Sequence, residues 1–183
     1  MQIRRLGGID RNEDGEAGAA WSVQKESLII NLHLRKATLI DVPRLWELRR
    51  NSIIELAPDG MAIAQAEAWA ATLTITGMER RFLETEIWVA EADGIIAGWI
   101  AMRDDYIDGL YTDPRYARQS IGTQLLCLAE RLMSERAIQI IRLEASLNSE
   151  QFYLRRGYLP TTVRVPNEAI PMEKRLSSPK GSN

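Results

Sequence analysis

YTDPRYARQSIGTQLL, Tyr111 to Leu126, contains a change of period. An apolar strand ends at Asp113-Pro114, a polar run from Arg115 to Ser120 follows, and Ile121, Leu125, Leu128 and Leu132 then recur at helical spacing. Strand, polar loop and helix start, in that order, make an anion site. The first amides of a helix have no intrahelical acceptor and carry the positive end of its dipole. Ser120 and Gly122 are small enough to let an anion approach, and Arg118 adds a charge. The run is neither a Walker loop, which needs Gly-Lys-Ser/Thr, nor a G-x-G-x-x-G turn. Spacing alone fits an ordinary helix start with Ser120 as N-cap equally well.

Working outward, the chain alternates strands and helices. Ile30, Leu32 and Leu34 alternate with Asn31, His33 and Arg35, a half-buried strand. Asp41 is placed to cap a helix with Pro43 in its first turn, and Leu45, Leu48, Ser52 and Leu56 mark its apolar face. After a break at Pro58-Asp59-Gly60, helices are expected over residues 62–73 and 78–84. Strands over residues 87–91 and 95–102 are joined by the hairpin signal Ala92-Asp93-Gly94. Arg103-Asp104-Asp105 turns into a strand over residues 106–112. The long helix over 121–136 precedes a strand over 138–146, a short helix over 148–156, a strand at Val163 and a last one over 170–176. The expected architecture is α/β, a mixed sheet with helices on both faces.

Composition narrows the function. The 183 residues suit one domain, and 45% apolar with 26% charged residues is ordinary globular usage. The net charge of -2 and the lack of a Lys/Arg-dense block argue against nucleic acid as the main partner. The single cysteine, Cys127, permits no intrachain disulfide and fits a reducing compartment; its place in the long helix predicts buried packing. The longest apolar run, near residues 95–102, is too short to span a bilayer, and Arg4-Arg5 is not followed by a signal-type apolar core. No membrane contact and a cytoplasmic location are expected. With one histidine and one cysteine, no metal site is expected. Residues 1–31 read as an extension, flexible in part, residues 32–176 as the domain, and residues 177–183 as a disordered tail.

The second motif is EASLNSEQFYLRRGY, Glu144 to Tyr158. Asn148 followed by Gln151 looks like a capping box, and Gly157 stands where a helix C-cap belongs. Neither explains Phe152-Tyr153. Taken with the first motif, with Leu34 to Asp41, with Trp88 to Trp99 and with Pro171 to Leu176, it resembles the GNAT superfamily of N-acetyltransferases, which move acetyl from acetyl-CoA to an amine. The resemblance spans residues 32–176. It implies a central mixed sheet of six to seven strands, mostly antiparallel, splayed between the fourth and fifth. The signature departs from the usual Gln/Arg-x-x-Gly-x-Gly/Ala at Ala117 and Ser120.

The resemblance implies roles. The backbone amides of Arg118, Gln119, Ser120, Ile121, Gly122 and Thr123 would hold the CoA pyrophosphate. Leu110, Tyr111 and Thr112 would pair with the pantetheine arm and polarise the thioester, Asn148 would contact the arm or cap its helix, and Tyr153 would protonate the leaving thiolate. A base for the amine is sought among Asp104, Asp105, Asp108 and Glu144, with Asp108 the residue chosen; the Asp pair also fits a plain turn, and ordered water can serve instead. The implied acceptor is a small-molecule, peptide or protein amine, its pocket shaped by residues 53–74 and 166–169, and a homodimer is compatible. Arg155 and Arg156 read as exposed. Two other readings stay open: a CoA-binding regulatory module without turnover, and a toxin-type acetyltransferase of aminoacyl-tRNA, which the acidic balance disfavours.

Overall fold

The strand Ile95–Arg103 (β3) is buried at every position but its two ends. A strand covered on both faces must be central, and it is. In the computed structural model, which describes residues 31–58, 61–166 and 168–176, β3 lies third in a seven-stranded sheet. The others are β1 (Leu32–Lys36), β2 (Glu86–Ala92), β4 (Tyr106–Thr112), β5 (Ile140–Ala145), β6 (Leu159–Pro160) and β7 (Ile170–Arg175). Their order is β1-β2-β3-β4-β5-β7-β6, and every pairing is antiparallel except β4 with β5. The β2–β3 hairpin turns at Asp93 (φ 51°) and Gly94 (φ 80°), two left-handed residues as the expected turn requires.

Alternation along β2 and β3 divides the core in two. Ile87, Val89, Trp99 and Ala101 face helices α1 (Val42–Glu55) and α3 (Ile75–Glu84), with Leu45, Leu48 and Met78 buried among them. Ala90, Ile100 and Met102 face the other way, toward Ile121, Leu125 and Ala129 of α4 (Ile121–Glu135) and Tyr153 of α5 (Glu150–Leu154). Helix α2 (Ile63–Ala71) leans on α1 through Ala66 and Ala70. Helices therefore cover both faces, as the sequence predicts.

Several expectations are corrected. Val163 is 90% exposed and lies in no strand; the edge pairing falls at Leu159–Pro160, where Pro160 limits further growth of the sheet. Cys127 is exposed, because it sits on the face of α4 turned away from Leu125 and Leu128. Asp41 does stand at the N-cap of α1, but its carboxylate turns back to the Thr38 amide (2.7 Å) and to Arg35 (2.8 and 3.0 Å). The extension, apart from Asn31, and the tail lie outside the described residues, as do Ile30, Asp59 and Gly60. Among the described residues no helix is long and apolar enough to cross a membrane.

Candidate active site

Strand β4 has two unlike edges. Toward β3 it stays in register from Thr112↔Gly98 to Gly109↔Ala101, then slips to Ile107↔Met102, so Asp108 is the extra residue of a β-bulge. Toward β5 it pairs only at Tyr106↔Arg142 and Ile107↔Leu143. Beyond those two pairs the strands part, and a cavity of about 530 Å³ opens between them. The sheet is splayed where the resemblance implied, between the fourth and fifth strands.

The bulge arranges one wall. A Cβ on Gly109 would stand 2.8 Å from Cε2 of Tyr111, so only glycine lets that ring fold back over the strand. The Tyr111 ring rests 4.8 Å from Trp99, with the Arg49 guanidinium 5.7 Å above it. Arg49 is buried and donates to the Ala70 carbonyl (3.1 Å) and the Thr72 hydroxyl (3.2 Å), tying α1 to the end of α2. Asp108 lines the cavity with its carboxylate 3.4 Å from Nε of Arg81. Tyr106 lies beside it; burial raises its hydroxyl pKa, and the negative charges of Glu144 and Asp108 raise it further. Glu144, across the opening on β5, makes no ion pair among the described residues. Asp104 (φ 52°) and Asp105, paired with Arg142, form the β3–β4 turn away from the cavity.

The exit from β4 is locked by Asp113, 3% exposed. Its carboxylate accepts from the Arg115 amide (2.9 Å) and Nε (3.0 Å) and from the Arg44 guanidinium of α1. Arg115 first, then Arg44, holds it near a pKa of about 2 against the opposing cost of burial. Arg118 (φ 64°) and Ser120 (φ 63°) then take left-handed conformations. Ser120 occupies the N-cap position, but its side chain caps nothing, a correction to the N-cap reading. Gln124 donates the first bond into the helix, to the Ser120 carbonyl (3.0 Å), which leaves the amides of Ile121, Gly122 and Thr123 ahead of it without helical acceptors. Ile121 itself is a core side chain, 1% exposed.

Helix α5 supplies the far wall. Asn148 is not its cap; Ser149 holds that position. The Asn148 carboxamide lines the cavity, accepts from the Ser146 hydroxyl (2.7 Å) and donates to the Leu56 carbonyl at the end of α1 (2.7 Å). Tyr153 is 6% exposed, set edge-on to Phe152 (5.1 Å) and Tyr158 (5.5 Å). Burial pushes its hydroxyl pKa well up, Tyr111 and Tyr106 add to this, and the Arg156 charge opposes it. The C-cap of α5 is Arg155, not Gly157; Gly157, two residues further on, takes φ 84° in the turn that leaves the helix. Arg156 is half-buried rather than exposed, a second correction; Arg155 is exposed.

The fold thus gathers Asp108, Leu110, Tyr111, Thr112, Gly122, Asn148 and Tyr153 around one cavity. Arg118, Gln119, Ser120, Ile121 and Thr123 form the loop and first turn that adjoin it through Gly122. Sequence reasoning missed Tyr106 and Arg81 at the cavity and Arg156 behind it. Among the described residues no His/Cys/Asp/Glu group is arranged to hold a metal.

A mixed sheet opened between parallel strands, with a free helix end on one side of the gap and a buried tyrosine beside it, defines an acetyltransferase fold of the kind the sequence resembles. The family description Acetyltransferase (GNAT) domain matches residues 55–176, well over half of the chain, which belongs to that family and is an acyltransferase. The chain is 24% identical over 128 residues to YafP, an uncharacterized N-acetyltransferase of Escherichia coli K12, covering 70% of this chain and 81% of that protein. A GCN5-related N-acetyltransferase structure from Rhodopseudomonas palustris shares 28% identity at a TM-score of 0.72, over 79% of this chain and 95% of that one. The PaiA N-acetyltransferase of Thermoplasma acidophilum, solved in complex with coenzyme A, has the same fold, with 21% identity and a TM-score of 0.70 over 80% of this chain and 100% of that one.

Proposed function

We propose that the chain transfers the acetyl group of acetyl-CoA to a primary amine by direct attack in a ternary complex. The observation that carries this reading is the opening between β4 and β5, with Gly122 of α4 and Tyr153 of α5 on its walls. Gly122 supports the fit of a phosphate-bearing donor. Without a side chain it lines the cavity at the start of α4, where a Cβ would sit at ordinary contact distance from Oγ1 of Thr112 (3.5 Å) and the Phe152 ring (3.6 Å). The amides of Arg118, Ser120, Ile121, Gly122 and Thr123 hold the pyrophosphate; that of Gln119 is directed at the Tyr116 carbonyl (3.4 Å). Pantetheine carries amides, and beyond Ile107 the cavity edge of β4 has no strand partner. Leu110, Tyr111 and Thr112 pair with the arm as a strand would, and Asn148 contacts it from the other side. An amide near Leu110 or Tyr111 that donates to the thioester oxygen lowers the barrier by about 3–4 kcal/mol.

An amine of pKa about 8–10 arrives mostly protonated and must lose a proton to attack. Asp108, set apart by the bulge, receives that proton, and Glu144 supplies a second carboxylate across the gap. As the carbon–nitrogen bond forms and the carbon–sulfur bond breaks, the Tyr153 hydroxyl donates a hydrogen bond to the departing thiolate. Its raised pKa keeps the hydroxyl protonated at neutral pH, available as a hydrogen-bond donor to the sulfur, while opposing full proton transfer to a thiolate of pKa about 8.5. The acceptor is a small-molecule, peptide or protein amine lying against Ile53, Leu56, Trp69, Arg81 and Ala169.

Calorimetric titration with acetyl-CoA and CoA tests the reading, with Ser120→Glu as control. Binding in the micromolar range that the glutamate abolishes is expected, followed by thiol release with a panel of amines. A folded protein that binds neither ligand at saturation would overturn it.

A further inference from the structure

The signature's first position, usually Gln or Arg, is Ala117 here, so the phosphate loop lacks a polar side chain there. A guanidinium reaches the first turn of α4 from the turn after α5. Arg156 donates Nη1 to the Phe152 carbonyl (2.8 Å) and Nη2 to the Thr123 hydroxyl, and its Nε is buried with no acceptor among the described residues. The guanidinium carbon lies 3.6 Å from the centre of the Phe152 ring, which also faces Gly122. Thr123 belongs to the first turn of α4, beside the free amides. Arg35, Arg44 and Arg81 each meet a carboxylate. Arg156 meets only a carbonyl, a hydroxyl and an aromatic face, and no acid among the described residues. A half-buried cation with neutral partners retains an unmet demand for an anion. Arg49 shares the lack of an acid and the unpartnered Nε, but its partners, the Ala70 carbonyl and the Thr72 hydroxyl, place it at the end of α2 rather than at the start of α4.

Resting on the reading above, we propose that Arg156, in the turn after α5, is the cationic binding residue for the CoA pyrophosphate, where Ala117 offers no polar side chain. Phe152 holds the guanidinium flat, and Thr123 tethers it to the helix end where the phosphates bind. Arg156 thereby joins the helix that carries Tyr153 to the loop that holds the donor.

The test compares CoA, dephospho-CoA and pantetheine as ligands of the full chain, with affinities read by calorimetry or competition at two salt concentrations. Arg156→Met is expected to weaken CoA and dephospho-CoA by about 10- to 100-fold, leave pantetheine within about 2-fold, and flatten the salt dependence. Arg156→Lys keeps a point charge without the fork and falls between. Thr123→Val, which leaves the guanidinium in place, gives a smaller loss restricted to the phosphate-bearing ligands, and stands in should Arg156→Met fail to fold. Equal losses for pantetheine and CoA, or no loss, overturn the assignment by reducing Arg156 to a packing role. A loss for CoA that disappears with dephospho-CoA overturns it in favour of the 3′-phosphate. Wild-type protein that binds no CoA sinks the proposed function itself, a separate result.

Discussion

The two sides of the cavity are built differently. The wall proposed for the donor comes from two short stretches, Leu110 to Thr123 and Ser146 to Arg156, and is tightly fixed. Asp113 is buried under two arginines, Ile121 is packed against β3, and Tyr153 is clasped by two aromatic rings. The wall proposed for the acceptor comes from five places far apart in sequence, represented by Ile53, Trp69, Arg81, Asp108 and Ala169. Its polar links run between separate segments: Arg49 to Ala70 and Thr72, Trp46 to the Leu73 carbonyl, and the 3.4 Å contact of Arg81 with Asp108. A site that must seat one donor but suit a particular acceptor is most economically varied where separate segments build the wall.

The contrast can be broken at the chemistry first. Tyr153→Phe keeps the ring between Phe152 and Tyr158 and removes only the hydroxyl. Turnover should fall by about 10²- to 10³-fold in kcat with acetyl-CoA affinity unchanged, read by thiol release and calorimetry. An equal loss of affinity would make Tyr153 a structural aromatic.

Next comes the floor beneath the donor side. A Cβ at Gly98 would stand 2.7 Å from Cγ2 of Ile121 and 3.1 Å from the Tyr111 carbonyl. Gly98→Ala should cost about 2–3 kcal/mol in denaturant unfolding and displace the start of α4, weakening CoA. Gly94→Ala, where nothing lies within 4 Å, should cost only the strain of a left-handed turn and leave CoA affinity intact.

The Asp113 lock contributes about 1–2 kcal/mol at neutral pH, since part of its pairing is to exposed Arg115. A carboxylate held near pKa about 2, against an ordinary 3.8, stabilises the fold above the ordinary value. That stability is lost as pH falls through about 2. Thermal melts of wild type should therefore be steady above pH about 5 and decline below about 4, and Asp113→Asn should melt lower at neutral pH with a shallower acid decline. The smallest effect is expected at Ser120, which holds φ 63° without using its hydroxyl as a cap. Ser120→Gly should raise stability by about 0.5–1 kcal/mol and leave CoA affinity the same or tighter.

Much of this was legible beforehand because it is local. The period change at Ile121, the Asp93-Gly94 turn and the Gly157 turn each depend on residues within one or two turns of chain. The misreadings share a cause. Ser120 and Asn148 are good cap residues by type, yet one takes a left-handed backbone and the other spends its amide on Leu56, 92 positions away. Cys127 is apolar by habit, but its helix buries the opposite face. Arg156 sits in a basic pair that reads as surface, and only the approach of α5 to α4 brings it to Thr123.

By itself, then, the sequence determined the strand and helix order, the helix start at Ile121, and the tyrosine at position 153, because backbone conformation and short-range spacing are encoded by neighbours. The tertiary structure alone decided that β4 bulges at Asp108 and parts from β5 after two pairs. It alone set Arg81 and Tyr106 beside Asp108 and carried Arg156 to Thr123. Those contacts join residues tens of positions apart, and packing rather than local propensity chooses among the partners a charged side chain could have.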